Sequence, residues 1–337
     1  MTKEQVNKLI SERQFFPNPT PDLVETHISW VLIGEEFVYK IKKPIRYSFL
    51  DFSTLEKRKY YCEREIELNR RLTSDLYLDV AAIREESGSL FINGQKGEII
   101  DYAVRMKKVD RGRQMDILLA GKKITQTDIC NLAGVIADFH KKAEIVYDMD
   151  PFRIKEDFQD LIKQTEYVNN HLGAAYSAII NESVNASEAF VNKNKDLLLE
   201  RLNAGFFRDC HGDLHSRNIF FLPEPKPFDC IEFNDDYRRI DVLNEVAFLC
   251  MDLEAFGNIE FSELFINTYN LIFPCMQGRQ DLDLFTYYKG YRANVRAKVN
   301  SLRARSAGND QDRETALAET ARYIQLMNGY MKTIRIP

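Results

Sequence analysis

The segment Cys210–Ile219 reads CHGDLHSRNI, and Phe228–Phe233, a short distance further along the chain, reads FDCIEF. The first segment contains a His-x-Asp pair that is followed, after four more residues, by Asn218. Phosphoryl-transfer enzymes use this spacing: the Asp orients the attacking hydroxyl and accepts its proton, and the Asn binds magnesium. In the second segment Glu232 follows a short apolar run, where a second metal ligand belongs. The two segments therefore predict phosphoryl transfer from a nucleotide, but not the acceptor.

Asp213 is the candidate general base of this reaction. An isolated HGD sequence would more often be a surface turn, but here Asn218 follows at the required spacing and a strand signal follows Asn218. His211 is expected to orient the loop through hydrogen bonds, not to transfer a proton. Arg217 could neutralise charge that develops on the transferred group, or it could simply be solvated. The same two alternatives apply to His215.

Metal binding is predicted for Asn218 and Glu232, because Mg²⁺ binds protein oxygens, usually one or two carboxylates, together with phosphate oxygens and water. Most kinases have Asp at the position of Glu232, so this residue is a departure from the common pattern. Three nearby carboxylates are alternative ligands: Asp229, Asp235 and Asp236. Two further carboxylates are expected to support the structure around the next helix: Asp241, as its N-cap, and Glu245.

A nucleotide kinase also needs a lysine on a strand and a glutamate on the next helix, which together hold the α- and β-phosphates. Lys40 and Lys42 lie on the same face of a predicted strand, since strand side chains alternate, and Lys40 is preferred. Its expected partner is Glu65. No GxGxxG loop joins the first two strands, although small polar residues near Ser29 could cover phosphates. Two more nucleotide-binding candidates lie on a later strand: Ala103 and Arg105.

The composition is that of a globular protein. The chain has 337 residues, a net charge of −5, 45% hydrophobic residues and 29% charged residues, which allows a sizeable core and gives no sign of a nucleic-acid partner. The first residues lack the apolar region of a signal peptide, and no apolar run approaches the ~20 residues of a membrane span. The cysteines are scattered without a CxxC pair, which favours reduced thiols. We expect a cytoplasmic protein with a small-molecule substrate and neither a nucleic-acid nor a membrane partner.

Strand and helix signals are mixed up to about residue 106, and helical patterns dominate beyond it. Strands are predicted at 30–33, 37–41, 81–83, 89–92, 99–106, 219–222 and 228–231. Helices are predicted at 54–72, 125–142, 152–172, 187–203, 242–256, 261–271, 282–302 and 313–331. We predict an α+β, two-lobed fold. A small β-rich N-lobe (residues 1–106) would bind nucleotide, and a larger, mainly helical C-lobe (residues 107–337) would carry the catalytic loop and the substrate site.

Together these motifs resemble the aminoglycoside phosphotransferase family, which are small-molecule kinases with a protein-kinase-like fold. The resemblance is most specific in the segment 211–219, and it extends to FVYK at 37–40, ERE at 63–65, IEF at 231–233 and EVAF at 245–248. The chain is similar to a bacterial branch that is often fused to a P-loop ATP-binding domain, although this sequence has no P-loop motif. The resemblance implies ATP or GTP as donor, Mg²⁺, Asp213 as base, Asn218 and Glu232 as metal ligands, and a phosphate-positioning pair formed by Lys40 and Glu65.

Two sets of charges in the second half of the chain predict acceptors of opposite charge. Acidic side chains could line a pocket for a polycation such as an aminoglycoside: Asp157, Asp160, Asp252 and Glu254. Basic side chains at helical spacing could instead bind a phosphate or carboxylate of the acceptor: Lys289, Arg292 and Arg296. The sequence does not choose between these alternatives.

The main hypothesis is therefore an ATP- and Mg²⁺-dependent kinase that acts on a small-molecule hydroxyl. The alternative is a nucleotide-binding pseudoenzyme with a scaffold or sensor role. Glu232 and the missing Gly-rich loop leave that alternative open, whereas intact Asp213 and Asn218 argue against it. A protein kinase is disfavoured, because no DFG or APE sequence marks an activation segment.

Overall fold

The computed structural model describes residues 1–12, 21–47 and 49–334. The chain divides into two compact units. Unit 1 contains Met1–Lys123 and Arg217–Arg238, and unit 2 contains Ile124–Ser216 and Arg239–Pro337. Strands concentrate in unit 1 and helices in unit 2, which confirms the predicted α+β class.

The strands are β1 (Asp22–Glu25), β2 (Ser29–Ile33), β3 (Phe37–Lys42), β4 (Tyr77–Glu86), β5 (Ser89–Ile92), β6 (Glu98–Lys107), β7 (Phe207–Asp209), β8 (Ile219–Leu222), β9 (Glu224–Pro227) and β10 (Arg239–Asp241). The helices are α1 (Lys3–Ser11), α2 (Leu55–Asn69), α3 (Met115–Ala120), α4 (Gln126–Lys142), α5 (Ile154–Gln159), α6 (Thr165–Leu172), α7 (Ala174–Lys193), α8 (Lys195–Asn203), α9 (Val242–Ala255), α10 (Ile259–Ile272), α11 (Arg279–Arg305) and α12 (Asp310–Thr333).

Unit 1 is built on an antiparallel sheet in the order β1-β2-β3-β6-β4-β5. Because side chains alternate along β3, Tyr39 and Ile41 enter a core that also contains residues of α1. Lys40 and Lys42 therefore lie on the opposite face of the strand. On that face α2 contributes Cys62 and packs against β4 and β6. The predicted strands at 37–41 and 99–106 and the predicted helix at 54–72 are confirmed within a few residues.

A short hairpin of β8 and β9 also belongs to unit 1, and here the prediction of a strand at 228–231 is wrong. The second strand lies earlier, at Glu224–Pro227, despite its two prolines. Among the described strands β9 pairs only with β8, so prolines without an N–H are tolerated on its other edge. The strand cannot continue through Asp229, whose φ of +64° lies in the left-handed region.

Unit 2 is a helical assembly in which α9 is buried from Val242 to Leu253. α11 packs against α9 and α12, and α10 packs against α4 and α9. The helix predicted at 152–172 is interrupted by a 3₁₀ segment, Asp160–Gln164. The helix predicted at 187–203 is two helices, α7 and α8, separated at Asn194. Among the residues described, no helix has the length and apolarity that crossing a membrane requires.

In unit 2, β7, which ends directly before the catalytic-loop sequence, pairs with β10 in a two-stranded sheet. Arg201 donates to both carboxylate oxygens of Asp241, at 2.6 and 2.8 Å, and this ion pair is buried. Asp241 also accepts the N–H of Leu243 at 2.8 Å, which confirms it as the N-cap of α9. The ion pair thereby fixes α8 to the start of α9, and the pairing of Asp241 with Phe207 joins the start of α9 to β7, the strand that leads into the loop.

Candidate active site

The two lysines of β3 share the carboxylate of Glu65 on α2. The Nζ atom of Lys40 lies 2.9 Å from Oε1 of Glu65, and the Nζ atom of Lys42 lies 2.7 Å from Oε2. Burial alone would raise the pKa of Glu65, yet the two lysines lower it to about 2. The structure therefore brings together the predicted pair Lys40 and Glu65, and adds Lys42 as a second partner of the same carboxylate.

Glu232 pairs with Lys42. The Nζ atom of Lys42 donates to Oε1 of Glu232, both side chains are buried, and the ammonium group lies 4.9 Å from the centre of the Phe52 ring. Burial alone would lower the pKa of Lys42, but the carboxylates of Glu232 and Glu65 raise it, so the ammonium stays charged. The carboxylate of Glu232, which the sequence predicts to bind metal, thus forms an ion pair with Lys42.

Asp229 is more accessible than Glu232: 43% of its side chain is exposed, against 3% for Glu232. Its Oδ1 atom lies 2.6 Å from Nζ of Lys40. The peptide N–H of Asp229 donates to the Tyr77 hydroxyl at 3.0 Å, and the next N–H, of Cys230, donates to Oδ1 of Asn69 at 2.9 Å. These bonds hold Asp229 in its left-handed conformation. Sequence reasoning ranks Glu232 above Asp229, because a positive φ at a non-glycine residue is not visible in the sequence.

The base of the β8–β9 hairpin brings the backbone of Asn218 close to that of Asp229. The N–H of Phe228 donates to the backbone oxygen of Asn218 at 2.9 Å, so Asn218 and Asp229 adjoin one backbone hydrogen bond. In the described part of the chain, no group of three or more His, Cys, Asp or Glu side chains could hold a metal by itself. An amide and one carboxylate nevertheless fit Mg²⁺, which takes its remaining ligands from phosphate oxygens and water.

The catalytic-loop segment of unit 2 is fixed by side chains from two helices. Glu245 of α9 accepts the N–H groups of His211, at 2.9 Å, and of Gly212, at 3.0 Å. Arg292 of α11 donates to the backbone oxygen of Gly212 at 3.1 Å and to Oδ1 of Asn244 at 2.7 Å. Gly212 has a φ of +88°, a conformation that favours glycine. Glu245, predicted only to support the structure, therefore braces the loop directly.

Asp213 is surrounded by basic side chains of unit 2. Nε2 of His215 lies 3.4 Å from Oδ2 of Asp213, and Nδ1 of His211 accepts the N–H of Asp213 at 3.3 Å. Burial alone would raise the pKa of the Asp213 carboxyl, but His215, Arg296 and His211 bring it well below its usual range. Asp213 is therefore ionised at neutral pH, as a group must be that accepts a proton, and His211 contacts the loop as predicted.

Several of the charged groups from which the charge of the acceptor was argued contact other groups of unit 2. Asp252 accepts the N–H of Ser216 at 2.9 Å and its hydroxyl at 2.5 Å. Glu254 pairs with Lys289 at 2.9 Å. Arg292 is occupied by the loop and by Asn244, as described above. The charges of Asp252, Glu254, Lys289 and Arg292 therefore take part in contacts that stabilise the fold of unit 2.

The remaining predicted residues lie in unit 1. Ala103 is buried in the sheet, and Ser29 is buried with its N–H donated to Oγ1 of Thr26 at 2.9 Å. Arg105 donates to both oxygens of Asp79, through Nε at 3.0 Å, and its guanidinium lies over the Phe37 ring. Nε of Arg217 lies 3.8 Å from the carboxylate of Asp116. None of these contacts involves the lysine cluster, which consists of Lys40, Lys42, Glu65 and Glu232.

Glu245 gives the fold a measurable pH dependence. Burial raises its pKa from 4.5 to about 7, although Arg292 and the two backbone N–H groups oppose the rise. The folded state therefore binds a proton that the unfolded state has already lost between pH 4.5 and 7, and this contribution to stability declines as the pH rises. We expect Glu245→Gln to remove about 3 kcal/mol of that decline. Urea unfolding of both proteins at several pH values measures it, and parallel curves would contradict the assignment.

Comparison with known proteins adds relatives in sequence and in structure. No family model matches the chain. It is 29% identical over 330 residues to uncharacterized proteins of Mycobacterium tuberculosis and Mycobacterium bovis. The match covers 94% of this chain but only 61% of those relatives, so the chain spans less than two thirds of their length. The predicted fusion of such relatives to a P-loop domain stays a prediction.

Solved kinase structures match almost the whole chain at low identity. A choline/ethanolamine kinase family protein from Mesorhizobium loti is 12% identical with a TM-score of 0.51, covering 97% of this chain and 98% of its own. A choline kinase from Cryptosporidium parvum is 12% identical with a TM-score of 0.56, covering 91% and 88%. The GDP and kanamycin complex of APH(2")-IIia is 13% identical with a TM-score of 0.50, covering 97% and 98%. The chain thus has the fold shared by choline/ethanolamine kinases and aminoglycoside phosphotransferases, and the resemblance seen in its sequence is confirmed at the level of the fold.

Proposed function

We propose that this protein is a phosphotransferase that uses ATP or GTP, with Mg²⁺, to phosphorylate a hydroxyl group of a small molecule. The observation that carries the proposal is the pairing of Lys40 with Glu65 beside Asp229 and Asn218, in a chain with this fold. Two further facts support it: one neighbour in structure is a GDP complex, and others are choline kinases.

The residues of unit 1 would bind the donor. The ammonium group of Lys40 would place a fixed positive charge beside the α- and β-phosphates, and Glu65 would hold that ammonium in place. Asn218 and Asp229 would hold Mg²⁺, and we propose Asp229 in place of Glu232, because Asp229 is exposed whereas Glu232 is buried against Lys42. Bound Mg²⁺ supplies positive charge that offsets the charge of the phosphates.

The residues of unit 2 would act on the acceptor. The ionised carboxylate of Asp213 accepts a hydrogen bond from the acceptor hydroxyl and takes its proton as the new O–P bond forms. The bond between the γ-phosphorus and its bridging oxygen breaks, and the nucleoside diphosphate leaves. His211 and Glu245 keep the loop in the shape that presents this carboxylate.

The test of this function is nucleotide turnover in the presence of Mg²⁺ across a panel of amino alcohols, aminoglycosides, sugars and other metabolite alcohols. We expect at least one acceptor to raise ATP or GTP consumption well above the rate without acceptor. Acceptors of both charges belong in the panel, because the charged residues of unit 2 are paired internally. A protein that binds nucleotide but turns over none of these acceptors would argue against the proposal.

Asp229→Asn tests the metal assignment. An amide keeps the shape of the side chain but removes the charge that attracts Mg²⁺, so we expect the Mg²⁺ concentration for half-maximal turnover to rise about tenfold or more. The measurement is a Mg²⁺ titration at saturating nucleotide. Asp22→Asn is the matched control, because Asp22 is an exposed carboxylate on β1 of the same unit, and it should leave the titration unchanged. An unchanged midpoint of the Mg²⁺ titration in Asp229→Asn would favour Glu232 as the metal ligand.

A further inference from the structure

Lys42 and Glu232 form a second lysine–carboxylate contact that the proposed reaction does not use. Lys42 is fully buried and Glu232 is 4% exposed. The single ammonium group of Lys42 contacts two carboxylates from separate parts of unit 1: Glu65 on α2, at 2.7 Å, and Glu232 after the β8–β9 hairpin. Lys42 therefore connects β3 with both α2 and the segment that follows Asp229.

The two lysines and two glutamates of this cluster balance in charge, and removing a single member breaks that balance. Lys40 and Lys42 contribute two positive charges, and Glu65 and Glu232 contribute two negative charges. Each oxygen of Glu65 binds one lysine, so neither lysine has the whole of that carboxylate. A buried charge without a partner is strongly unfavourable, and Glu232 supplies the partner that Glu65 alone could not give to Lys42. Lys40 can consequently bind a further anion, and here that anion is Asp229.

We propose that Lys42 and Glu232 are positioning residues that form a clamp on Glu65, and that the clamp orients Lys40 for nucleotide phosphates. The proposal accounts for the glutamate at position 232: a shorter aspartate would withdraw its carboxylate from Lys42. It rests on the proposed function in one respect, since Lys40 can be a phosphate ligand only if the protein binds a nucleotide.

The decisive pair of variants is Glu232→Asp and Glu232→Gln. The first keeps the charge and shortens the side chain, and the second keeps the length and removes the charge. The probe is ADP, titrated by calorimetry in EDTA and again over a range of Mg²⁺ concentrations. The clamp predicts that both variants weaken metal-free ADP binding about tenfold and leave the Mg²⁺ midpoint at its wild-type value.

A metal ligand at position 232 would give a different pattern. Aspartate, the residue most kinases have there, would then preserve the Mg²⁺ midpoint, glutamine would raise it, and metal-free ADP affinity would stay at the wild-type value in both. That pattern would overturn the proposal. Wild-type ADP affinity in both variants, with an unchanged Mg²⁺ midpoint, would overturn it as well.

Variants of Lys42 separate positioning from general stability. Lys42→Met alone takes from the buried carboxylate of Glu232 the lysine that contacts it, so this variant could fail to fold. The double variant Lys42→Met, Glu232→Met removes both charges and replaces them with apolar side chains of similar length, which buried sites often tolerate. We expect the double variant to fold and to bind metal-free ADP about tenfold more weakly. A double variant with wild-type ADP affinity would contradict the clamp.

Hydrogen exchange tests the clamp without any nucleotide. In Glu232→Gln the amides of α2 should exchange at least tenfold faster than in wild type, because Glu65 and its helix lose a fixed point, while the amides of α9 in unit 2 serve as the internal reference. If wild-type protein binds no ADP, the proposed function fails, and the α2 exchange rates still decide the clamp. Unchanged α2 exchange would overturn it.

Discussion

Asp213→Asn is expected to lower kcat about a thousandfold while the protein still folds and binds nucleotide. The amide has the size of the carboxylate and can still accept a hydrogen bond, but it cannot take the proton of the acceptor hydroxyl. The basic residues His215, Arg296 and His211 keep Asp213 ionised, so the substitution removes a charge that is present at neutral pH. Steady-state kinetics with an active acceptor, together with thermal melting, measure both parts of this expectation.

Asp138→Asn is the matched control for that experiment. Asp138 lies on α4 of the same unit, its side chain is 65% exposed, and its ion pair with Lys141 is long, at 3.6 Å. The control should retain wild-type kcat, since an exposed pair of this kind contributes little. A kcat in Asp213→Asn within about threefold of wild type would show that another group takes the proton.

Lys40→Ala is expected to weaken nucleotide binding about a hundredfold, which corresponds to the loss of one or two charge-assisted hydrogen bonds to phosphate. Burial alone would lower the pKa of Lys40, but Asp229 and Glu65 raise it well above its usual value, so the side chain is charged at any working pH. The fold should survive, because Glu65 keeps Lys42 as a partner. Calorimetric titration with ADP gives the affinity, and melting temperatures check the fold.

Lys43→Ala is the control for Lys40→Ala. Lys43 follows β3 directly and pairs with Glu25 at 2.7 Å, away from Glu65. It should bind ADP as tightly as wild type does. If Lys40→Ala also kept its affinity for ADP, Lys40 would not be a phosphate ligand, and Lys42 would be the next residue to examine.

The elements around the lysine cluster could be predicted because local signals and packing agree there. The alternation along β3 places Lys40 and Lys42 on one face, and Thr54 accepts the N–H of Lys57 at 3.3 Å as the N-cap of α2. The prediction of a pair between Lys40 and Glu65 used these two elements together with the catalytic-loop motif, and it kept Lys42 as the alternative lysine. The catalytic-loop sequence likewise carries its own spacing, so Asp213 and Asn218 could be selected without a structure.

What could not be predicted depends on tertiary contacts. Nothing local shows that Asp229 has a positive φ, because the conformation is held by Tyr77 and Asn69 from elsewhere in unit 1. Nothing local shows that Lys42 binds Glu232, a residue 190 positions away. The charge of the acceptor could not be predicted for the same reason. The tertiary contacts of Asp252 and Arg292 within unit 2 are not visible in the sequence.

Transfer of the γ-phosphoryl group of labelled ATP to a small-molecule acceptor, compared between wild type and Asp213→Asn, tests the central claim most directly. The account predicts label in an organic phosphate ester with wild type and Mg²⁺, and at least a hundredfold less with Asp213→Asn at equal nucleotide occupancy. Bound nucleotide with no labelled ester from any acceptor, and with identical behaviour of the two proteins, would contradict the account and would favour a nucleotide-binding protein without phosphotransferase activity.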